Sequence, residues 1–429
     1  MDPFINKSIE DGNSFNDIKP TSNLLFGGLL LFFLFEYVRP GSHFPVLEAA
    51  KINTLIPISV FVFTFLSSSG RSHSAILSAL NTKWFLFFIA LFPIQVFTAD
   101  VTLYVFQRFI MSFGYLLVYF VIMRQVTSIQ RIKAVFSTLI FVHVLLIFLN
   151  PKLILEPENR NYIAGVTFLG DGNDFAWSVC IVVPFALFLV QIVESRFKKM
   201  LYLGLTCLLI LMVVGSQSRG GSIALGASIL YFVLKGNRKI IGLMGLGALV
   251  AIVLLFAPTV YLERMKTIED YKTEGSAQGR IMAWNSAMRM AIDHPLIGVG
   301  AGHFAVKYGV EYRPPGIGRT DIPWSNAHSI YFLTLGEFGF TGMLFLLGLI
   351  ITNMLRNERS IRNASNSTAS LAESHRKLAV AMQASFIGFA VGGAFLSGLY
   401  YPHLYILAAL NESVSFITST RDKKIVLSG

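Results

Sequence analysis

About twelve apolar runs, each close to one bilayer crossing in length, recur along this 429-residue chain and leave it few folds to choose from. Crossing the hydrocarbon core takes about 20 apolar residues, and helices satisfy their own backbone over that distance. The runs fall near 23–38, 52–67, 84–99, 102–123, 134–149, 174–194, 200–216, 219–235, 240–257, 328–353, 379–398 and 402–418. The last is the weakest, because Pro402 and Asn411-Glu412 interrupt it. Charged residues make up 14% of the chain, against roughly 25% in soluble domains. The expected fold is an all-α polytopic membrane protein with about twelve transmembrane helices and a large periplasmic loop containing short helices.

The net charge of +11 would suit a nucleic-acid partner if it formed one patch. It does not. The cations cluster at Arg124/Arg131/Lys133, Arg196/Lys198/Lys199, Lys235/Arg238/Lys239, Arg356/Arg359/Arg362/Arg376/Lys377 and Arg421/Lys423/Lys424. With both termini inside, every cluster faces the cytoplasm, as the positive-inside rule requires. Membrane lipids are therefore expected around the chain, and nucleic acid is not. The polar, acidic start, Met1 to Ser22, lacks the pattern of a cleaved signal peptide. Cys180 and Cys207 both fall inside expected spans, so neither a disulfide framework nor a cysteine metal site is expected.

This topology divides the chain into a cytoplasmic tail (1–22), nine membrane helices (23–257), an outer loop (258–327), three more helices (328–418) and a cytoplasmic tail (419–429). The loop is the longest polar interruption and carries Arg264, Lys266, Lys272, Arg280, Arg289, Lys307, Arg313 and Arg319. Within it, Gly279–Asp293 reads as a helix ended by Pro295, with Ile281, Trp284, Met288, Ala291 and Ile292 at helical spacing. Arg280 falls within that apolar arc, whereas Asn285, Ser286, Arg289 and Asp293 lie opposite. Gly298-Val-Gly-Ala-Gly302 lacks the full dinucleotide-binding spacing and reads as a tight turn returning the loop to the membrane.

Three polar residues stand out at the outer face. Arg219, in Ser218-Arg-Gly-Gly221, sits where the inside rule does not explain an arginine. A charge near the hydrocarbon boundary costs about 1–3 kcal/mol, which an anionic partner would offset. His328 heads the tenth span, where a helix dipole favours the neutral imidazole that a general base needs. Arg280 joins them from the loop. Tyr331, one turn beyond His328, together with Trp284 and Arg319, completes the expected substrate-binding set. Glu337 is out of phase with His328 and reads as a buried structural residue, and Asp171 and Asp174 read as caps of the sixth span. Two arginines suit a diphosphate through bidentate hydrogen bonds, and a neutral histidine suits deprotonation of a sugar hydroxyl. No metal-binding motif is present, so neither a metal nor a cofactor is expected.

At these positions the chain resembles the O-antigen ligase/polymerase superfamily of bacterial membrane glycosyltransferases. The resemblance runs roughly from Gly165 to Gly342. It rests on Gly172-Asn-Asp-Phe-Ala176, Ser218-Arg-Gly-Gly221, Gly279-Arg-Ile-Met-Ala-Trp284, His294-Pro-Leu-Ile-Gly-Val-Gly300 and Ala327-His-Ser-Ile-Tyr331 through Gly339. It implies about twelve helices, an undecaprenyl diphosphate-linked glycan donor, and an active site on the periplasmic face of the bacterial inner membrane. It also implies functional roles for Arg219, Arg280 and His328. The acceptor would be lipid A–core for a ligase, the reading favoured here, a growing glycan chain for an O-antigen or exopolysaccharide polymerase, or protein in a related branch. A lipid-linked glycan transporter would instead spread charges through the spans; here they gather at one face, with Glu36, Arg108 and Glu412 as exceptions.

Overall fold

The computed structural model describes residues 18–19, 21–152, 156, 163, 168–266, 275–313, 325–365 and 372–428. Lys272, Arg319 and most of 153–167 lie outside these residues. The architecture is all-α apart from one two-residue ladder pairing Ile18–Lys19 with Gly70–Arg71.

The helices that carry the fold are α1 (Asn23–Val38), α2 (Ile52–Leu66), α3 (Leu80–Val96), α4 (Thr102–Gln125), α5 (Ile129–Leu149), α6 (Gly172–Ile192), α7 (Arg196–Gly215), α8 (Arg219–Leu234) and α9 (Lys239–Phe256). The polar interruption holds α10 (Thr259–Lys266), α11 (Gly275–Asp293) and α12 (Phe304–Val310). Helices α13 (Ile330–Ser365), α14 (Ala372–Gly393) and α15 (His403–Ser428) complete the chain. Among the described residues, α4, α5, α6, α7, α9 and α13 are long and apolar enough to cross a membrane, and α1, α2, α3 and α8 are shorter apolar helices.

Burial separates the helices into a centre and a rim. Most of α6 is enclosed by α5, α7, α8 and α14, whereas α9 has no buried residue at all. Flat aromatic contacts fill the centre: Phe136 stacks on Phe185 at 4.0 Å, Phe88 on Phe345 at 4.2 Å, and Trp177 on Phe389 at 5.1 Å. The polar interruption expected in the last span is absorbed into the core. Pro402 precedes α15, and the helix runs unbroken through Asn411 and Glu412. Asn411 donates to Asn353 Oδ1 (2.7 Å), Asn353 and Asn81 exchange side-chain hydrogen bonds (2.8 and 2.9 Å), and Glu412 pairs with Arg356 (2.7 Å). Paired in this way, most of these buried polar groups find partners within the core.

Helix α13 is broken at Gly339, whose φ of 63° and ψ of −157° are not helical. The Gly298–Gly302 turn occupies the break. The Val299 and Gly300 amides donate to the Gly336 and Glu337 carbonyls (2.9 and 3.1 Å), and the Phe340 amide donates to Pro295 O (2.8 Å). Gln95 closes the arrangement by donating to Ile297 O and Glu337 O (2.8 and 2.7 Å) and accepting from the Ala301 amide (3.0 Å). The hydrogen bonds lost at the break are thus replaced from the loop, as backbone at membrane depth demands.

The turn requires glycine at Gly298, where φ is +65° and a Cβ would overlap the Glu337 carbonyl carbon. The left-handed conformation alone costs a side chain about 1–2 kcal/mol. Gly298→Ala should therefore lose more than about 2 kcal/mol. Gly247→Ala, where a Cβ meets nothing within 4 Å on helical backbone, should be neutral or slightly stabilising. Thermal unfolding of both variants in detergent checks the contrast; equal melting would remove the turn from its structural role.

Candidate active site

A cavity of about 410 Å³ opens where α6 and α8 begin and where the chain enters α13. Arg219, Arg280 and His328, far apart in sequence, all line it.

Arg219 is the first residue of α8. The chain reverses from α7 in three residues, with Gln217 in the left-handed region (φ 55°), and Ser218 caps the new helix by accepting from the Gly221 amide (3.0 Å). The two glycines that follow allow close packing. A Cβ at Gly220 would lie 2.8 Å from Phe395 Cβ, and one at Gly221 would lie 2.7 Å from Ala176 Cβ. The Ser-Arg-Gly-Gly motif thereby draws α6 and the turn after α14 to the first turn of α8. That approach brings Asn173 and Asp174 to the wall from one side, and Leu396 and Ser397 from the other.

Arg280 lies on α11, on the stripe that continues through Ala283, Ala287, Met290 and Ala291, all buried. Its inward placement agrees with the sequence reading, but the apolar arc differs. Ile281, Met288 and Ile292 are exposed, Ser286 is buried with its hydroxyl donating to Tyr312 O (2.7 Å), and the helix begins at Gly275. Apart from Met290, the buried side is made of small residues, because α11 packs against α13. The larger apolar residues point outward, which periodicity alone does not separate.

His328 precedes α13 instead of lying on it. Its φ of 48° turns the chain, and Ser329 follows with its carbonyl accepting from the Leu333 amide (2.9 Å). The expected alignment of Tyr331 with His328 therefore fails: the Tyr331 hydroxyl donates to Ala390 O (2.8 Å), on α14, and the residue does not line the cavity. Trp284 does not line it either. Its indole donates to Ala327 O (2.8 Å) and its ring stacks on Phe332 at 4.9 Å, so it braces the residue before His328. Arg319 lies outside the described residues.

Other residues in the wall were not foreseen. Asp171 caps α6 as expected, accepting from the Asn173 amide (2.9 Å), yet Asp171 and Asp174 also line the cavity. Tyr401 donates to Asp174 (3.1 Å), and burial followed by that carboxylate holds its phenol above the usual range, so it remains a donor. Gln217, Ser325, Asn326 and Ser397 add polar groups. No local motif marks these four, because tertiary packing alone brings them together.

The cavity lies where α6 and α8 begin and where the chain enters α13, beside the positive ends of helix dipoles, and two arginines line it. Such a space suits an anionic group with several oxygens. Asp171, Asp174, Asn326 and Tyr401 offer hydrogen-bonding partners of the kind that polyhydroxylated groups require.

Residues 204–347 match the family model described as O-antigen ligase. The segment is similar to an O-antigen ligase domain over these residues. The match supports the resemblance to the O-antigen ligase/polymerase superfamily, and together with the apolar helices it supports a multi-pass membrane protein. No curated protein matches the chain. The matched segment contains Arg219, Arg280 and His328, whereas Asp171, Asn173, Asp174, Ser397 and Tyr401 reach the same cavity from outside it.

The cap that sets the first turn of α8 can be tested directly. Ser218→Ala leaves the Gly221 amide without its acceptor in a buried position and should cost about 1 kcal/mol. A melting temperature in detergent equal to that of the wild type would show that the cap does not hold the turn.

Proposed function

We propose that the protein is an inverting glycosyltransferase of the periplasmic face that moves a glycan from undecaprenyl diphosphate to an acceptor hydroxyl, most simply the lipid A–core hydroxyl of an O-antigen ligase. The observation that carries this reading is the meeting of Arg219, Arg280 and His328 in one cavity beside helix N-termini. The proposed orientation has about twelve helices crossing the inner membrane, both tails inside, and the 258–327 loop outside. It follows from the basic clusters, which gather at the opposite ends of the helices from the cavity.

In this mechanism Arg219 and Arg280 bind the donor diphosphate, and their hydrogen bonds strengthen as negative charge develops on its leaving oxygen. His328 accepts the proton of the acceptor hydroxyl. The hydroxyl oxygen bonds to the anomeric carbon from the face opposite the diphosphate, the carbon–oxygen bond to the diphosphate breaks, and lipid diphosphate departs. Asp171 and Asp174 accept hydrogen bonds from sugar hydroxyls. Trp284 acts through Ala327 to position His328, a supporting role in place of the direct substrate contact expected from the sequence.

Reconstitution with a defined undecaprenyl diphosphate glycan and lipid A–core tests this assignment. His328→Ala should lower transfer by about a hundredfold or more while donor binding persists; transfer at the wild-type rate would overturn it. Arg219→Ala and Arg280→Ala should each weaken donor binding by about 2 kcal/mol, roughly thirtyfold. Unchanged affinity in both variants would remove the diphosphate clamp. Gene disruption separates the acceptors: loss of a ligase leaves long lipid-linked chains and bare core, whereas loss of a polymerase leaves core bearing one repeat.

A further inference from the structure

A second cleft, of about 690 Å³, lies at the basic end of the bundle, away from the cavity described above. It forms because α9 stands off its neighbours. Gly242 lets α9 touch α8 at its start, where a Cβ would lie 2.7 Å from Val233 Cγ1, yet no residue of α9 is buried. The space between α7 and α9 is walled by apolar side chains such as Leu203, Ile210, Leu246 and Leu249.

The mouth of the cleft is cationic. Lys199, Arg238, Arg376 and Lys377 line it, and no carboxylate does. Glu373 sits nearby but is engaged by Arg376 (2.9 Å) and Lys377 (3.7 Å). Among the described residues, Lys199 and Arg238 have no carboxylate partner.

The depth is also informative. From Lys199 to Ile210 along α7, and from Arg238 to Leu249 along α9, the helical rise gives about 16 Å. That is close to half of the roughly 30 Å hydrocarbon core, the reach of one leaflet. An apolar slot one leaflet deep with uncompensated cations at the headgroup level matches an anionic lipid in charge, polarity and length.

We propose that this cleft is a binding site for an anionic phospholipid, with its phosphate held by Lys199 and Arg238 and an acyl chain lying between α7 and α9. The lipid replaces the protein contacts that α9 lacks and seats it against α7. The site is separate from the glycan-transfer cavity and does not depend on the reaction proposed there.

Native mass spectrometry of the detergent-purified protein, titrated with phosphatidylglycerol and with phosphatidylcholine of identical chains, tests this. Phosphatidylglycerol should be retained at lower concentration, and the preference should fall about fivefold with each of Lys199→Gln and Arg238→Gln. Gly245→Leu adds bulk inside the cleft, where a Cβ at this position meets nothing within 4 Å, and should reduce lipid retention without changing charge. Glycerol 3-phosphate, which lacks acyl chains, should not displace the lipid. Equal retention of the two lipids, a preference unmoved by both glutamine variants, or displacement by glycerol 3-phosphate would each overturn the proposal. The altered cations are surface residues, so unchanged melting of those variants keeps a loss of binding interpretable.

Discussion

The repaired break in α13 is the contact on which the cavity end of the bundle depends. A helix interrupted at membrane depth leaves carbonyl and amide groups without partners, and lipid offers none. Here the Gly298–Gly302 turn supplies them, and Gln95 ties both strands of the contact to α3. The turn follows directly on α11. Fixing it on α13 therefore fixes the end of the helix that carries Arg280, and the same helix segment begins two residues after His328. One backbone contact thus sets the relative position of two of the three central side chains.

The third comes from a different device. Arg219 is held by a capped first turn whose glycines admit α6 and the end of α14. The consequence is more than close packing. Helix N-termini gather only where chain reversals can approach one another, and bulky side chains at Gly220 or Gly221 would separate them. The small residues and the cationic side chains of the cavity are therefore two aspects of one arrangement: close approach concentrates dipole ends and Arg219 and Arg280 in a small volume.

How much of this could be read from sequence follows from the reach of each signal. Hydropathy located the apolar helices because it depends only on local composition, and an arginine set apart from the basic clusters, such as Arg219, stands out. Arg280 was placed on the packed side of α11, but from an apolar arc that proved to be largely the exposed side; close helix contact favours Ala283, Ala287 and Ala291 there over Ile281 and Met288. Tyr331 was misjudged because the left-handed turn at His328 breaks the helical phase that the comparison assumed. The last helix looked weak because Asn411 and Glu412 count as polar in any scale, whereas their partners Asn353 and Arg356 are remote in sequence. Asp174 and Tyr401 illustrate the same limit at the site, since their pairing joins the start of α6 to the residue before Pro402.

Adjacent tyrosines connect the two devices. Tyr400 donates to Glu337, beside the break in α13, and Glu337 in turn accepts from the Phe304 amide at the start of α12 (3.1 Å). Tyr401, the next residue, donates to Asp174 in the cavity wall. Arg108 lies over the Tyr400 ring at 4.9 Å and packs beside Gly302, where a Cβ would lie 3.2 Å from its Cγ. Arg108, one of the scattered charges, and the buried Glu337 thus meet around Tyr400 in one assembly that joins α4, α13 and the α14–α15 turn. They hold the loop turn, the broken helix and the cavity wall in a common register, and the glycan-transfer reading requires that register, because a diphosphate and a hydroxyl must be met at once by groups from three separate parts of the chain.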